Sequence, residues 1–297
     1  MSTIENGAKP VAGVEHGPPP RHHPLRLINR APSRRLAVFL GALPFVALVV
    51  AYTAASHVRR LDNPSDRLLP SLESIGAAFF RLATERDVRT GDITLWVDTF
   101  DSLTRLGLGL GVALAFALVL GIAIGFLPHI RSALAPFIAA VSLIPPITIL
   151  PILFIALGLG ETSKIALITL GTAPVMIRSM AQAVIDIPRE QMVKVQTLGA
   201  STWQIVTRVV LPQMMPKLIA ALRLALVPGW IFLISAEAIA STSGLGYRIF
   251  LVRRYLAMDV ILSYVIWITI LAYLLDRLLL WWSRSAFWWS HLEGDSL

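Results

Sequence analysis

Residues 106–127 read LGLGLGVALAFALVLGIAIGFL and contain neither a charged residue nor a proline. A helix of this length can cross the hydrocarbon core of a bilayer, which needs about 20 apolar residues at 1.5 Å of rise each. Five further apolar stretches of similar length lie at 36–55, 133–157, 163–185, 218–240 and 260–282. The sequence therefore predicts an all-α membrane protein with about six transmembrane helices.

The composition of the whole chain agrees with this prediction. Of the 297 residues, 56% are hydrophobic and 15% are charged, and the mean hydropathy is +0.70, whereas a soluble domain is roughly 25% charged. Much of the net charge of +8 comes from Lys and Arg in tails and loops beside apolar stretches, where they can meet anionic lipid headgroups. Composition thus excludes a soluble enzyme and favours the lipid bilayer over nucleic acid as a partner.

The chain ends flank a predicted transmembrane domain at 34–284. Residues 1–33 are rich in Gly, Pro and His and are predicted to form a disordered cytoplasmic tail, with 285–297 as a C-terminal tail. The stretch 36–55 could be the core of a signal peptide, but its length favours a retained helix. An even number of spans and a basic N-terminal tail together predict that both termini are cytoplasmic, although this places Arg248, Arg253 and Arg254 outside.

Small residues recur every four positions along 106–127. One series is Gly107, Gly111 and Ala115, and the other is Ala113, Ala117, Gly121 and Gly125. Small residues at this spacing form a smooth ridge that lets another helix approach closely. Tight packing within one subunit is the favoured interpretation, and a dimer contact is the alternative.

Prolines interrupt the predicted span 133–157 at Pro145-Pro146 and again at Pro151. Each proline removes a backbone donor and clashes with the preceding turn of a helix. In hydrocarbon, carbonyls freed in this way need partners, so such backbone belongs against protein or a wet cavity. A simple kink and a role in lining a solute pathway both remain open.

The segment between the fourth and fifth spans carries the clearest functional signal. It runs Asp186-Ile-Pro-Arg-Glu-Gln-Met-Val-Lys-Val-Gln-Thr-Leu-Gly199-Ala-Ser-Thr-Trp-Gln-Ile-Val-Thr-Arg-Val-Val-Leu211-Pro212. Pro188 is typical of a helix start and Gly199 of the left-handed residue that ends a helix. Ser201 and Gln204 have the spacing of a capping box that opens a second helix, and Pro212 is expected to end it. The segment is therefore predicted to be two short helices around a tight turn.

This segment resembles the "EAA" loop of ABC-importer permeases. The second half of that loop has a fixed spacing, which this chain matches: Val209 follows Gly199 after nine intervening residues, and Leu211-Pro212 follow Val209 after one more. The phrase Thr197-Leu-Gly-Ala-Ser-Thr-Trp-Gln-Ile is similar to the loop of the nitrate/sulfonate/taurine/bicarbonate branch. Downstream, Ala236-Glu237-Ala-Ile-Ala-Ser-Thr-Ser-Gly-Leu-Gly-Tyr247 is similar to the second signature of that branch. The resemblance covers about residues 36–283.

The resemblance implies a type I ABC-importer permease fold in the bacterial inner membrane. In that family two permeases pair, two separate ABC ATPases bind the loops (here 186–217), and a substrate-binding protein delivers a small polar solute from outside. A second copy of this chain is the expected permease partner. No cofactor is expected in this chain, because ATP and Mg would be bound by the ATPase.

The residues expected to couple to the ATPase follow from the matched loop: Glu190, Lys194, Gly199, Ala200, Ser201, Leu211 and Pro212. The chain departs from the family at one point. The family's Glu-Ala-Ala falls on Val193-Lys194-Val195, so the acid that often contacts the ATPase is missing. Glu190 lies nearly one turn earlier and is the candidate replacement.

The chain carries no catalytic or metal motif of its own. A Walker A loop needs G-x-x-x-x-G-K-[ST], and the nearest stretch, Gly158-Leu-Gly-Glu-Thr-Ser-Lys-Ile165, lacks the second glycine and the final Ser or Thr. There is no Cys, and all six His lie outside the spans, so no metal site is expected. ATP hydrolysis must then come from a partner.

Charges inside predicted spans are candidates for function because burying them in a bilayer is costly. Arg223 can reach the interface by snorkelling, and Asp276 and Arg277 are expected at the inner interface. Glu237 is the one unpaired candidate, either on the pathway or as a structural hydrogen-bond acceptor. The expected pathway residues are Pro145, Pro146, Ser235 and Glu237.

A self-sufficient secondary transporter or channel is the main alternative function.

The cargo is only weakly indicated by the sequence. The stretch Gly246-Tyr-Arg-Ile-Phe-Leu-Val-Arg-Arg-Tyr-Leu-Ala-Met-Asp-Val-Ile-Leu262 resembles permeases of transporters linked to urea carboxylase. That resemblance implies a small nitrogen-rich cargo, such as a urea or guanidine derivative, rather than an anion such as nitrate or a sulfonate.

Overall fold

The computed structural model describes residues 32–63, 67–88 and 91–291, and every regular element in these ranges is a helix. The α-helices are α1 (Arg34–Asp62), α2 (Leu72–Thr84), α3 (Thr94–Phe126), α4 (Pro128–Val141), α5 (Pro146–Leu157), α6 (Glu161–Ile185), α7 (Arg189–Thr197), α8 (Thr202–Ile205), α9 (Leu211–Ala240), α10 (Leu245–Val252) and α11 (Met258–Ala286). The chain divides into two compact units, Met1–Tyr52 and Thr53–Leu297. The sites described below lie in the second unit.

Five helical stretches in the described residues are long and apolar enough to cross a membrane. They are Arg34–Leu61, Thr94–Phe126, Glu161–Ile185, Thr202–Ala240 and Met258–Ala286. The pair α4 and α5 makes a sixth span if it is counted as one, although its two halves meet at an angle of 95°. The prediction of about six transmembrane helices is confirmed. The predicted N-terminal tail lies outside the described residues, apart from residues 32 and 33.

Helices α3 and α6 form the centre of the second unit and run parallel. Gly109 packs on Ile168 and Gly125 on Val184, so the contact keeps one register along both helices. The ridge on α3 is the predicted series of small residues, Ala113, Ala117, Gly121 and Gly125, all buried. A Cβ added at Gly125 would lie 2.5 Å from that of Val184. Packing within one subunit is therefore the role of this series, whereas Gly107 and Gly111 face open space.

The prolines at 145 and 146 mark a change of direction. Helix α4 ends at Val141, a short turn follows, and Pro145 precedes α5, which Pro146 opens. Proline suits the first turn of a helix because the N–H it lacks would have no partner there. The predicted third span is thus two helices joined by a sharp bend, and Pro151 lies inside the second of them.

Helix α2 was not predicted from the sequence, which suggested only an outer segment at 56–101. Its first turn is capped by Ser71, whose side chain accepts a hydrogen bond from Ser74 N at 3.1 Å. Ile75 and Ala78 are buried on one face, and the carbonyl of Ile75 accepts a hydrogen bond from Ser263 of α11 at 2.9 Å. This amphipathic helix packs on the span rather than crossing the membrane.

The second unit has two ends, here called the α7 end and the α10 end. Helices α3, α6 and α11 run from the α10 end towards the α7 end, and α9 runs back. The start of α6 lies beside the end of α9, where Lys164 donates to Ser241 Oγ at 3.1 Å. Segment 186–217 and the loop between α9 and α10 are thus at opposite ends.

Candidate functional site

Segment 186–217 forms a protruding knob at the α7 end. Helix α7 has no buried residue. Large apolar side chains are exposed on it and just after it, with Val193 at 55%, Leu198 at 85% and Trp203 at 74% of their surface accessible. Ile187 and Ile205, at 7% and 3%, anchor the two sides of the knob in the core. An exposed apolar patch on an anchored base is typical of a docking surface.

The turn in this knob is held by local hydrogen bonds. Gly199 has φ +77°, a conformation that glycine adopts without steric cost, and Ala200 N donates to Val195 O at 3.3 Å. Ser201 Oγ accepts from Gln204 N at 3.3 Å, and Gln204 Oε1 accepts from Ser201 N at 2.8 Å. The predicted left-handed glycine and capping box are both confirmed.

The prediction that Pro212 ends the second helix is wrong. Helical structure continues from Thr202 to Ala240, and Pro212 lies in the first turn of α9. A π-helical turn at Val206–Val210 precedes it. Because that turn already breaks the regular hydrogen-bond register, the proline opens the next α-helical stretch instead of ending a helix.

The knob brings most of the predicted coupling residues to the surface. Glu190, Lys194, Gly199, Ser201 and Pro212 are exposed, and Ala200 and Leu211 are half-buried. Glu190 lies in the first turn of α7 and Lys194 in its last turn. Their contact with a partner stays a prediction.

Glu237 is the centre of a buried polar cluster at the α10 end. Its side chain has no exposed surface, and Oε1 accepts hydrogen bonds from Ser102 Oγ and Arg105 Nη1, both at 2.7 Å. Oε2 accepts from Gly246 N at 2.8 Å. The expectation that Glu237 is an unpaired carboxylate is therefore wrong, because all its hydrogen-bonding capacity is directed at the protein.

Arg105 links this carboxylate to a second one. Its Nε and Nη2 bind both oxygens of Glu161, with Nη2 at 3.0 Å from Oε1, and Nη1 also donates to Ser243 O at 2.9 Å. Lys164 Nζ donates to Glu161 Oε1 at 2.9 Å. Each buried charge in this group thus has an opposite charge beside it, as buried ions require.

The cluster caps the start of α10. Three successive backbone N–H groups have no partner within the helix, and they donate to side chains of α3 and α9. Gly244 N donates to Asp98 Oδ1 at 2.9 Å, Leu245 N to Ser102 Oγ at 2.8 Å, and Gly246 N to Glu237. The first turn of a helix needs such acceptors. The stretch 236–247, which resembles the second family signature, therefore holds α10 against the bundle.

Two glycines make this capping possible. Gly244 has φ +121°, and a Cβ there would lie 2.5 Å from Glu237 Oε1. A Cβ on Gly246 would lie 2.8 Å from Ile234 O. Glycine is required at both positions because the backbone must approach the carboxylate and α9 closely.

Asp98 extends the cluster to α11. Its Oδ2 accepts from Arg248 Nε and from Tyr264 OH, both at 2.9 Å. Burial by itself lowers the pKa of Arg248, but the hydrogen bond and the charge of Asp98 outweigh it and raise that pKa above its ordinary value. Arg248 therefore stays charged and ties α10 to α3.

Sequence reasoning missed the partners of Glu237. Asp98, Ser102 and Arg105 lie on one face of α3, spaced by four and three residues. That helical spacing was the available signal, but the predicted span began only at residue 106, where the charges stop. Because these charged residues precede the apolar stretch, hydropathy alone does not assign them to a span.

Two further features lie within the membrane-spanning helices at the α7 side. Arg223 and Asp276 form a bidentate ion pair between α9 and α11 at 2.7 and 3.0 Å, so Arg223 has a partner at hand and does not depend on snorkelling.

Arg178 of α6 was not singled out from the sequence, although it is the one charge between Lys164 and Asp186. Its Nη1 donates to Ser142 Oγ, at the bend after α4, at 3.0 Å.

The other predicted pathway residues lie in two places. Pro145 is exposed and Pro146 half-buried at the same bend. Ser235 of α9 is half-buried, and its hydroxyl donates to Ile231 O at 2.7 Å. Their roles in a pathway stay predictions.

The chain matches one known protein family and is similar to named relatives. Residues 105–285 match the family described as "Binding-protein-dependent transport system inner membrane component". The taurine transport system permease protein of Escherichia coli is 37% identical over 256 residues, which cover 86% of this chain and 90% of that protein. The putative aliphatic sulfonates transport permease protein of the same organism is 29% identical over 248 residues, or 81% and 90% of the two chains.

Solved structures show the same fold. Two crystal forms of the MetNI methionine ABC transporter in inward-facing conformations align with TM-scores of 0.56 and 0.58. The sequence identities are 21% and 20%, and the aligned regions cover 63% and 64% of this chain and 93% and 96% of those chains.

Proposed function

Because the chain belongs to the family of binding-protein-dependent transport system inner membrane components, and is a permease subunit of an ABC importer, we propose how it assembles and what it carries. Two copies pair in the membrane, and segment 186–217 of each copy receives a separate ATPase. A substrate-binding protein delivers the cargo at the α10 end. ATP and Mg are bound by the ATPases, and both termini lie on the ATPase side.

The single observation that supports ATPase docking is the knob at the α7 end. Its turn is fixed by Gly199 and by the capping box of Ser201 and Gln204, so the backbone that carries the exposed apolar side chains is ordered before a partner binds. Leu198 and Trp203 supply the apolar contact, and Glu190 and Lys194 supply charge at its edge. A rigid knob can transmit a movement of the ATPase to α9, with which it is continuous.

The cargo we propose is a small sulfonate. Two of the relatives are named for taurine and for aliphatic sulfonates, and the matches cover about nine tenths of each. The resemblance to permeases linked to urea carboxylase favours a nitrogen-rich cargo, and a carboxylate such as Glu237 on the pathway would suit a cationic cargo of that kind. Glu237 is enclosed by its own partners, so this carboxylate does not support the nitrogen-rich alternative.

Reconstitution tests the proposed function. The purified chain, its ATPase and its binding protein are placed in proteoliposomes, and uptake of radiolabelled taurine is measured with and without ATP. We expect ATP-dependent accumulation with all components and none with this chain alone. Uptake driven by an ion gradient without the ATPase would instead support the self-sufficient secondary transporter.

A further inference from the structure

The half of α6 nearest the α7 end carries a polar stripe at membrane depth. Arg178, Ser179 and Gln182 are exposed on this helix, between the exposed Val175 and Ile185. Arg178 lies seven residues before the last residue of α6, so its Cα is about 10 Å from the helix end at 1.5 Å of rise per residue. Charged and polar side chains at such a depth face a bundle interior or a water-filled cavity rather than lipid.

Snorkelling does not account for Arg178. Every Cα–Cβ bond in an α-helix tilts towards the helix N-terminus, and the N-terminus of α6 is at the α10 end. The side chain of Arg178 therefore starts towards the middle of the membrane and away from the nearer interface. Its hydrogen bond to Ser142 Oγ at 3.0 Å holds it at the bend between α4 and α5.

A cavity of about 250 Å³ lies beside this side chain. Arg178, Gln182 and Arg131 line it, together with apolar residues of α3, α4 and α6. Arg131 is turned to the end of α3, where it donates to the carbonyls of Ile124 and Gly125. Among the residues that the structure describes, no carboxylate lines the cavity, and its two charges are both positive.

Two other charges in the spans each have an opposite charge beside them. Glu237 is paired with Arg105, and Asp276 with Arg223. Within residues 32–63, 67–88 and 91–291, Arg178 is in no ion pair. The acid that follows on this face, Asp186, accepts a hydrogen bond from Gln182 at 2.8 Å and lies beyond the end of α6.

We infer that Arg178 binds the anionic head group of the cargo on the α7 side of the pathway, with Ser142 orienting the guanidinium. This inference rests on the proposed function and gives it a specificity-determining residue. A guanidinium has five N–H donors and binds a planar pair of anionic oxygens in a bidentate manner. With Nη1 on Ser142, the other N–H groups can meet two oxygens of a sulfonate.

The test compares three variants in the complete transporter. Arg178→Gln removes the charge and keeps a donor for Ser142, and Arg178→Lys keeps the charge and loses the fork. Arg277→Gln is the matched control, because Arg277 is also a span cation near the α7 end but stacks on Tyr273 at 5.0 Å. ATP-dependent uptake of taurine, ethanesulfonate and guanidinium is measured for each, together with yield and ATPase co-purification.

We expect Arg178→Gln to lower uptake of both sulfonates by at least about tenfold, as when one partner of a desolvated charge pair is removed. Arg178→Lys should keep part of the uptake, and Arg277→Gln should leave it unchanged. Normal sulfonate uptake by Arg178→Gln would overturn the inference. If the wild type takes up guanidinium but neither sulfonate, the inference about Arg178 is overturned, while the importer function stands. If the wild type takes up none of the three probes, the result contradicts both the inference and the proposed function.

The phosphate of a lipid head group can also bind a guanidinium, so the test must distinguish lipid from cargo at Arg178. Varying the lipid composition of the vesicles makes this distinction. The assays are repeated in vesicles of phosphatidylcholine alone and in vesicles that also contain phosphatidylglycerol. A loss of uptake in Arg178→Gln that occurs in both lipids supports cargo binding. A loss confined to anionic vesicles assigns Arg178 to lipid and overturns the inference.

Discussion

Arg105 Nη1 lies 2.7 Å from Glu237 Oε1, and both side chains are withdrawn from the surface of the protein. The pair joins the start of α3 to the end of α9, and through Gly246 it also holds α10. An ion pair of this kind holds the helices together, because neither side chain has a free hydrogen-bonding group left to bind a solute. Glu237 is thus a structural residue at the end of the bundle opposite the knob.

The first prediction concerns this pair. Replacing Glu237 by Leu leaves Arg105 buried with one carboxylate fewer, and breaking a buried pair from one side costs about 3–5 kcal/mol. We expect a markedly lower melting temperature in detergent for Glu237→Leu. The double variant Arg105→Met with Glu237→Leu should recover part of that loss, because it also removes the buried guanidinium that has lost one of its two carboxylates.

Thermal unfolding of the two single variants and the double variant completes the cycle. A double variant less stable than either single variant would contradict stabilisation by the pairing of Arg105 with Glu237. Loss of transport with an unchanged melting temperature in Glu237→Gln would instead return Glu237 to the cargo pathway.

Local sequence was enough to predict the turn of the knob. Gly199, Ser201 and Gln204 act through hydrogen bonds to residues three to five positions away, so their pattern contains the whole interaction. The polar cluster is different, because Arg105 and Glu237 are 132 positions apart. A single sequence does not reveal which distant charge is the partner.

Two other elements differ from the sequence prediction for local reasons. Pro212 has the local character of a helix stop, but the π-helical turn at Val206–Val210 lets α9 begin with it. Helix α2 was missed because charges dominate the segment 56–101. Its apolar positions at 72, 75, 78, 79 and 82 follow a helical period, and this pattern could have predicted it.

The second prediction concerns Gly244. Alanine there would place a Cβ 2.5 Å from Glu237 Oε1 in a backbone with φ +121°, a conformation that costs about 1–3 kcal/mol for residues other than glycine. We expect Gly244→Ala to lower the melting temperature. Gly111→Ala is the matched control, because Gly111 lies in α3 with open space around it and alanine favours a helix. Equal effects of the two variants would contradict the capping role.

The third prediction concerns the turn of the knob. Nothing lies within 4 Å of a Cβ built on Gly199, so a substitution acts only through the left-handed backbone at φ +77°. Gly199→Val should insert in the membrane but lose the ATPase during co-purification, because a β-branched residue disfavours this conformation. Gly199→Asn should keep the ATPase, since Asn tolerates it. Normal co-purification of Gly199→Val would show that the turn does not control docking.

The fourth prediction separates the two series of small residues on α3. A Cβ on Gly121 would lie 2.5 Å from Met180 Cβ, so Gly121→Val forces α3 and α6 apart, and overpacking of this kind costs about 1–3 kcal/mol. Gly111→Val adds the same side chain on the open face of the same helix. We expect Gly121→Val to lower the melting temperature of the subunit, and Gly111→Val to leave it unchanged. If the two copies of the permease meet along Gly107 and Gly111, Gly111→Val will instead release monomers in size-exclusion chromatography. A subunit of normal stability in Gly121→Val would contradict the packing of α3 on α6 at its core.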